Sequence, residues 1–140
     1  MSSSLKICTL GDEVKNVLKK FRFSKNEVTT AIILKVQKDS QEIVVEEEFD
    51  NCDMDEVQSS LSAQQPRFIL ISYRFEHSDG RVSYPLCLVY YSPSGCHPEL
   101  QMLYAGSMRS LAAEAGLNTN IEVRDLDDLN DEYIRDKLSR

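Results

Sequence analysis

The N-terminal segment carries apolar residues at helical spacing, which predicts an amphipathic helix with one buried face. These residues are Val14, Val17, Leu18 and Phe21. Thr9 stands three residues before Asp12, a spacing that is typical of a capping box at a helix N-terminus. We therefore predict a helix whose N-cap is Thr9.

Two pairs of apolar runs follow, and both pairs are typical of β-hairpins. Residues 28–36 are rich in β-branched side chains and are joined by a polar turn to residues 43–45. Residues 67–75 and 82–91 are longer runs, separated by a polar segment with an Asp-Gly pair that favours a tight turn. Because both longer runs are apolar on both faces, we expect helices on each side of the sheet. Pro85 must then occupy a bulge or lack a ladder partner.

Helix signals alternate with these strands. Asp53 is suited to cap a short helix over residues 54–61. Pro98 suits the first turn of a long helix, because its missing N–H costs nothing there, and Gly116 suits the end of that helix. A short strand and a final helix capped by Asn130 complete the pattern.

The predicted order of elements is α-β-β-α-β-β-α-β-α. This order gives an α/β fold of the α+β type, with a mixed, mostly antiparallel sheet sandwiched between helices. No internal repeat or Pro/Gly-rich linker divides the 140 residues. We therefore expect one domain over residues 1–140, in which residues 1–8 form a flexible tail.

Composition narrows the classes of function. The net charge is −7, whereas a general nucleic-acid binder is basic, so we expect no nucleic-acid partner. No apolar run approaches the ~20 residues that cross a bilayer, and the first residues lack the apolar region of a secretory signal. The four cysteines are scattered, which favours a reduced state. We expect a cytoplasmic monomer with no membrane partner.

Candidate chemistry is sparse. Cys96 and His97 combine a thiol with a base, but adjacent residues point in different directions and no third group is placed to orient the histidine. Two histidines do not suffice for a His-rich metal site. We therefore predict no enzyme, no metal and no other cofactor.

Charge is unevenly distributed along the chain. Residues 42–56 carry eight acidic side chains and no basic one. On the first helix, Lys15, Lys19 and Arg22 form a basic ridge away from the apolar stripe. A surface for a charged protein partner and an ordinary solvated helix face both explain this ridge.

The long helix has two distinct faces. The face expected to enter the core consists of Leu100, Leu103, Tyr104, Ser107 and Leu111. The opposite face carries Met102, Ala105, Arg109 and Ala113. A flexible Met beside small residues and an Arg suits a protein-binding surface. A second packing contact, for example with the C-terminal helix, explains the same pattern equally well.

Several motifs resemble the glia maturation factor family in order and spacing, and the match covers nearly all of the chain. They are Lys20-Phe21-Arg22-Phe23, Ala31-Ile32-Ile33, Gln65-Pro66-Arg67-Phe68, residues 79–87 (DGRVSYPLC) and residues 101–107 (QMLYAGS). The resemblance implies the actin-depolymerising-factor-homology fold. It also implies that the protein binds the actin-related protein 2/3 complex, inhibits branched nucleation and dissociates existing branches.

The resemblance also assigns surfaces. The long helix, through Met102, Ala105 and Arg109, would dock an actin-like subunit together with the N-terminal Ser2 and Ser3. The hairpin loop at residues 77–81, with His77, Asp79 and Arg81, would touch a neighbouring subunit. Serines in the N-terminal tail are either phosphorylation sites or ordinary tail residues.

Two positions depart from actin-severing relatives, which place lysines just before the helical Met. Here Glu99 and Gln101 occupy those positions, and we include both in the partner-binding set. Loss of two cations against acidic actin costs on the order of 1 kcal/mol per contact, so weak or absent binding to actin itself is expected. An actin-severing protein of the same fold and an extracellular signalling factor are the alternative functions.

Overall fold

Six strands form a mixed central sheet in the computed structural model, which describes residues 9–22, 27–37, 39–117 and 119–139. The strands of the chain are β1 (Thr9–Leu10), β2 (Thr30–Gln37), β3 (Glu42–Phe49), β4 (Arg67–Ser72), β5 (Phe75–Glu76), β6 (Val82–Ser83), β7 (Leu86–Tyr91) and β8 (Thr119–Val123). The helices are α1 (Asp12–Arg22), α2 (Met54–Ser59), α3 (Pro98–Ala115) and α4 (Asp131–Leu138), with a 3₁₀ turn at Leu126–Asp128.

The sheet has the order β1-β3-β2-β4-β7-β8. Its three central pairs are antiparallel, and the pairs at the two edges, β1 with β3 and β7 with β8, are parallel. This topology confirms the predicted mixed, mostly antiparallel sheet. Strands β5 and β6 form a separate two-stranded sheet.

Two hydrophobic cores lie on opposite faces of the sheet, because successive strand side chains point to opposite sides. In β2, Ile32 and Leu34 join the core that contains α1 and α3, whereas Ala31 and Ile33 join the core that contains α2 and α4. The prediction of helices on both sides is therefore confirmed. The stripe on α1 is also confirmed, since Val14, Leu18 and Phe21 are buried.

Three predicted helix ends are confirmed by their cap geometry. Asp53 Oδ1 accepts a hydrogen bond from the Glu56 amide at 2.9 Å, and Asn130 Oδ1 accepts one from the Tyr133 amide at 2.8 Å. Gly116 ends α3 with φ of 71°, a left-handed conformation that glycine adopts without steric cost.

The capping box at Thr9 is wrong. Helix α1 begins at Asp12, and the first helical hydrogen bond runs from the Lys15 amide to the Gly11 carbonyl at 3.1 Å, so Gly11 is the N-cap. The backbone of Thr9 instead pairs with β3, in register with Glu42. Pairing with a distant strand overrides the local capping signal, because it satisfies the backbone groups just ahead of the helix.

No helix within the described ranges is long and apolar enough to cross a membrane. The predicted tail at residues 1–8, including Ser2 and Ser3, lies outside the described residues.

Candidate partner-binding surfaces

Helix α3 is held on the sheet by a buried stripe and by one long-range hydrogen bond. Leu103, Ser107 and Leu111 are buried on its inner side. The Tyr104 hydroxyl accepts a hydrogen bond from the Val36 amide at 2.8 Å. Because the last pair between β2 and β4 is Leu34 with Phe68, Tyr104 replaces the missing strand partner at Val36. These contacts fix which face of α3 points outward.

The outward face carries the residues that the sequence predicts. Met102 is 75% exposed, and Ala105, Arg109 and Ala113 are also exposed. The alternative of a packing contact with the C-terminal helix is wrong, because Ile134 of α4 belongs to the core on the other side of the sheet. The exposed Met102 and Ala105 present apolar surface to solvent, and Arg109 lies two turns from Met102.

The first turn of α3 is organised by internal hydrogen bonds. His97 Nδ1 accepts from the Glu99 amide at 3.1 Å, so His97 is the N-cap of the helix. Gln101 is half-buried, and its Nε2 donates to Ser92 Oγ at 3.4 Å. Of the two positions that depart from severing relatives, Glu99 is exposed, whereas Gln101 points into the structure. Cys96 is buried, whereas His97 is exposed.

Helix α1 lies beside α3 over the same core. Lys15 and Lys19 are exposed on α1, which places basic charge in the same layer as the outer face of α3. Arg22 is the last residue of α1, and its side chain lies outside the described residues.

The predicted long hairpin is interrupted, and its outer part forms a separate arm, which we define as residues 75–83. Strand β4 ends at Ser72 and β7 begins at Leu86, immediately after Pro85. Pro85 therefore lacks a place in the ladder, as predicted, since it has no N–H to donate. Beyond this break the arm has its own ladder, with Phe75 opposite Ser83.

The tip of the arm is a hydrogen-bonded turn. The Gly80 amide donates to the His77 carbonyl at 3.0 Å, and Gly80 has φ of 92°. Asp79 accepts from the Arg81 amide at 3.1 Å and from Arg81 Nε at 2.7 Å. These bonds from Arg81 lower the pKa of the Asp79 carboxyl.

Residues of the arm differ in their exposure. Asp79 and Arg81 are exposed at the tip, whereas half-buried His77 bonds Ser83 Oγ through Nε2 at 2.8 Å. Val82 is 40% exposed, and it is the only large exposed hydrophobic residue besides Met102 in the part of the chain that the structure describes. The exposure of Val82 was not predicted from the sequence, because Val82 lies at the start of an apolar run that predicts burial.

The N-terminal turns of α3, which carry Met102, and the arm lie at opposite ends of β7. The arm precedes β7 in the chain and lies near its first residue, Leu86. The first turns of α3 reach the other end, where the Tyr90 hydroxyl donates to the Gln101 carbonyl at 3.2 Å. A strand of six residues spans about 17 Å. Met102 and the tip of the arm are therefore separated by at least the length of this strand.

The buried cysteines do not add a reactive group. Cys52, Cys87 and Cys96 are free and buried. Burial raises the pKa of Cys87 to about 12 and, with nearby carboxylates, that of Cys52 to about 11, so both are neutral thiols at physiological pH. Among the described residues, no cluster of His, Cys, Asp and Glu suits a metal ion.

Known proteins are similar to this chain in both sequence and fold. Residues 7–139 match the family described as cofilin/tropomyosin-type actin-binding protein. Glia maturation factor beta of Homo sapiens is 46% identical over 138 residues, which cover 99% of this chain and 97% of that protein. Glia maturation factor of Drosophila melanogaster is 41% identical over 136 residues, which cover 97% of this chain and 99% of that protein. The solution structure of glia maturation factor from Caenorhabditis elegans has a TM-score of 0.84 at 48% identity and covers 98% of this chain and 99% of that chain.

The fold and the family match define the class, which is that of cofilin-type actin-binding regulators. Within that class, the chain belongs to the glia maturation factor family. The resemblance in the sequence motifs and the fold that it implied are therefore confirmed, and the protein is an actin-regulating protein of this type.

Proposed function

We propose that this protein binds the actin-related protein 2/3 complex, inhibits branched actin nucleation and promotes the dissociation of existing branches. The observation that carries the proposal is the outer face of α3, where Met102 is 75% exposed on a helix that the core holds in place. An exposed apolar anchor on a rigid element is suited to a protein partner. Met102, Ala105 and Arg109 would dock an actin-like subunit, with Lys19 adding favourable charge at the rim.

The arm supplies a second contact in this proposal. Asp79, Arg81 and Val82 are exposed there. The arm and Met102 lie beyond opposite ends of β7. A protein that contacts two subunits through two connected surfaces favours the arrangement of subunits that fits both. Binding shifts an equilibrium only when the protein has a higher affinity for one of the two states. Branches therefore dissociate if the protein binds the complex more tightly in the arrangement that has left the mother filament.

The rival function is direct binding and severing of actin filaments, and the family description names actin binding. Glu99 argues against it, since this exposed carboxylate faces the region where a severing protein would need positive charge against acidic actin. We therefore propose weak or absent binding to bare filaments. A monomeric, cytoplasmic protein at the actin-rich cell cortex is consistent with this role.

Co-sedimentation with two kinds of filament separates these functions. The protein is incubated with unbranched filaments and with networks branched by the actin-related complex, and branches are counted by fluorescence microscopy. The proposal expects most of the protein in the supernatant with bare filaments, binding to branched networks and a falling number of branches. Saturable micromolar binding to bare filaments with severing would support the rival.

A further inference from the structure

The arm has few backbone restraints on its orientation. Between it and the central sheet lies a neck, residues 73–74 and 84–85, that belongs to neither ladder. Across this neck the Tyr73 amide donates to the Pro85 carbonyl at 3.1 Å. A break in a ladder lets the two parts of a hairpin twist relative to each other. Side chains at the neck must therefore contribute to fixing the direction of the arm.

Tyr73 is the neck residue that reaches deepest into the protein. It is 4% exposed and belongs to the core shared with α2 and α4. Its hydroxyl donates to Asp131 Oδ1 at 2.9 Å and accepts from Arg135 Nη1 at 3.3 Å. Asp131 and Arg135 are one turn apart on α4, so the hydroxyl is held from two sides by a single helix.

The protonation of Tyr73 suits this arrangement. Burial and the neighbouring Asp131 raise the pKa of Tyr73 to about 12. The hydroxyl therefore stays protonated at physiological pH and can donate a hydrogen bond to the Asp131 carboxylate. The arrangement is a complete hydrogen-bond set, with a donor and an acceptor on α4 for one hydroxyl at the base of the arm.

The other contacts near the neck lie closer to the surface than those of Tyr73. A cleft of about 580 Å³ lies between Phe75 of the arm and the α4 side chains Tyr133, Arg135 and Asp136. Phe75 is only partly buried against the core. The Arg74 amide also donates to Thr29 Oγ1 at 3.0 Å. Tyr73 is therefore the buried side-chain link between the neck and α4.

We propose that Tyr73 is a positioning residue: its bonds to Asp131 and Arg135 of α4 fix the direction of the arm relative to the α3 face. The consequence of this inference rests on the proposed function. It is that the arm reaches the second subunit only when it is held at this angle. Loss of the Tyr73 hydroxyl would leave docking through α3 intact but reduce the rate of branch dissociation.

The test uses Tyr73→Phe in the full chain. The matched control is Tyr91→Phe, because the Tyr91 hydroxyl donates to the Ser62 carbonyl at 2.9 Å in the same core but at the end of β7 remote from the arm. Asp131→Asn keeps an oxygen acceptor for the hydroxyl and serves as the conservative variant. Residual dipolar couplings of amides in the arm and in the central sheet report orientation, and a branched-network assay gives the half-saturating concentration and the maximal dissociation rate.

We expect Tyr73→Phe to change the couplings of the arm while those of the sheet stay the same. We also expect a maximal rate about threefold to tenfold lower, the effect of one lost hydrogen bond, at an unchanged half-saturating concentration. Tyr91→Phe and Asp131→Asn should match the wild type. Unchanged arm couplings, or changed couplings with a wild-type rate, would overturn the inference. A wild-type protein that dissociates no branches would instead refute the proposed function, and the couplings would still decide whether Tyr73 directs the arm.

Discussion

The outer face of α3 and the arm are both exposed, but they are supported in different ways. The α3 face belongs to an 18-residue helix whose inner side is buried. Its Tyr104 hydroxyl accepts a hydrogen bond from Val36 in the sheet. The arm consists of two strands of two residues each, separated from the sheet at Pro85. Substitutions on the α3 face should therefore change contacts alone. The behaviour of the arm should depend also on residues far from its tip, such as those of α4.

The largest expected effect comes from removing the support of the α3 face. Leu103→Ala deletes a side chain that is 6% exposed in the core, and such changes lower the free energy of unfolding by about 2–5 kcal/mol. Met102→Ala on the opposite side of the helix is the matched control and should change it by less than about 0.5 kcal/mol. Urea unfolding of both variants measures the contrast. Equal losses of stability would show that the two faces are not distinct.

A smaller effect is expected at the tip of the arm. Asp79→Ala combined with Arg81→Ala removes an exposed ion pair, which contributes little to folding, so the melting temperature should stay nearly unchanged. The rate of branch dissociation should fall about threefold to tenfold, because rim charges guide and hold a partner. A large fall in melting temperature with full activity per folded molecule would count against the arm as a contact surface.

The smallest effect concerns the pH dependence of the same turn. The bonds from Arg81 lower the folded pKa of Asp79 below its ordinary value of 3.8. The turn is therefore favoured above that value and loses this support as the pH falls through the lowered pKa. An NMR titration of the Asp79 carboxyl should give a midpoint below 3.8, and Arg81→Ala should raise it. The same midpoint in both proteins would contradict the hydrogen bond from Arg81 Nε to Asp79.

Local patterns were sufficient to predict most of the fold. The caps at Asp53 and Asn130, the limits of α3 at Pro98 and Gly116, and the break at Pro85 all follow from the chemistry of nearby residues. Thr9 shows where this approach fails, because its pairing with Glu42 joins segments more than thirty residues apart. Such contacts leave no local periodic signal, since they are decided by tertiary packing.

The candidate surfaces were predicted less completely. The exposure of Met102 and Arg109 followed from helical spacing, but the spacing did not show that Gln101 turns inward to Ser92. The separation of the arm from the sheet was also not predicted, because residues 67–75 and 82–91 are both largely apolar runs that predict two long strands. Tyr73 carried no signal in the sequence, since its partners Asp131 and Arg135 lie on the last helix.

The central claim is that the outer face of α3 binds the actin-related complex, and the affinity of one double variant tests it most directly. Met102 and Arg109 lie two turns apart, about 10 Å along the helix. Met102→Ala with Arg109→Ala keeps good helix formers, so the fold should lose little.

Affinity is measured by titrating wild type and the double variant against the purified complex. We predict a loss of about 2–4 kcal/mol, which is some 30- to 1000-fold in dissociation constant. Unfolding of the double variant should remain close to that of the wild type. Wild-type affinity in the double variant, or unfolding as easy as that of Leu103→Ala, would contradict the claim.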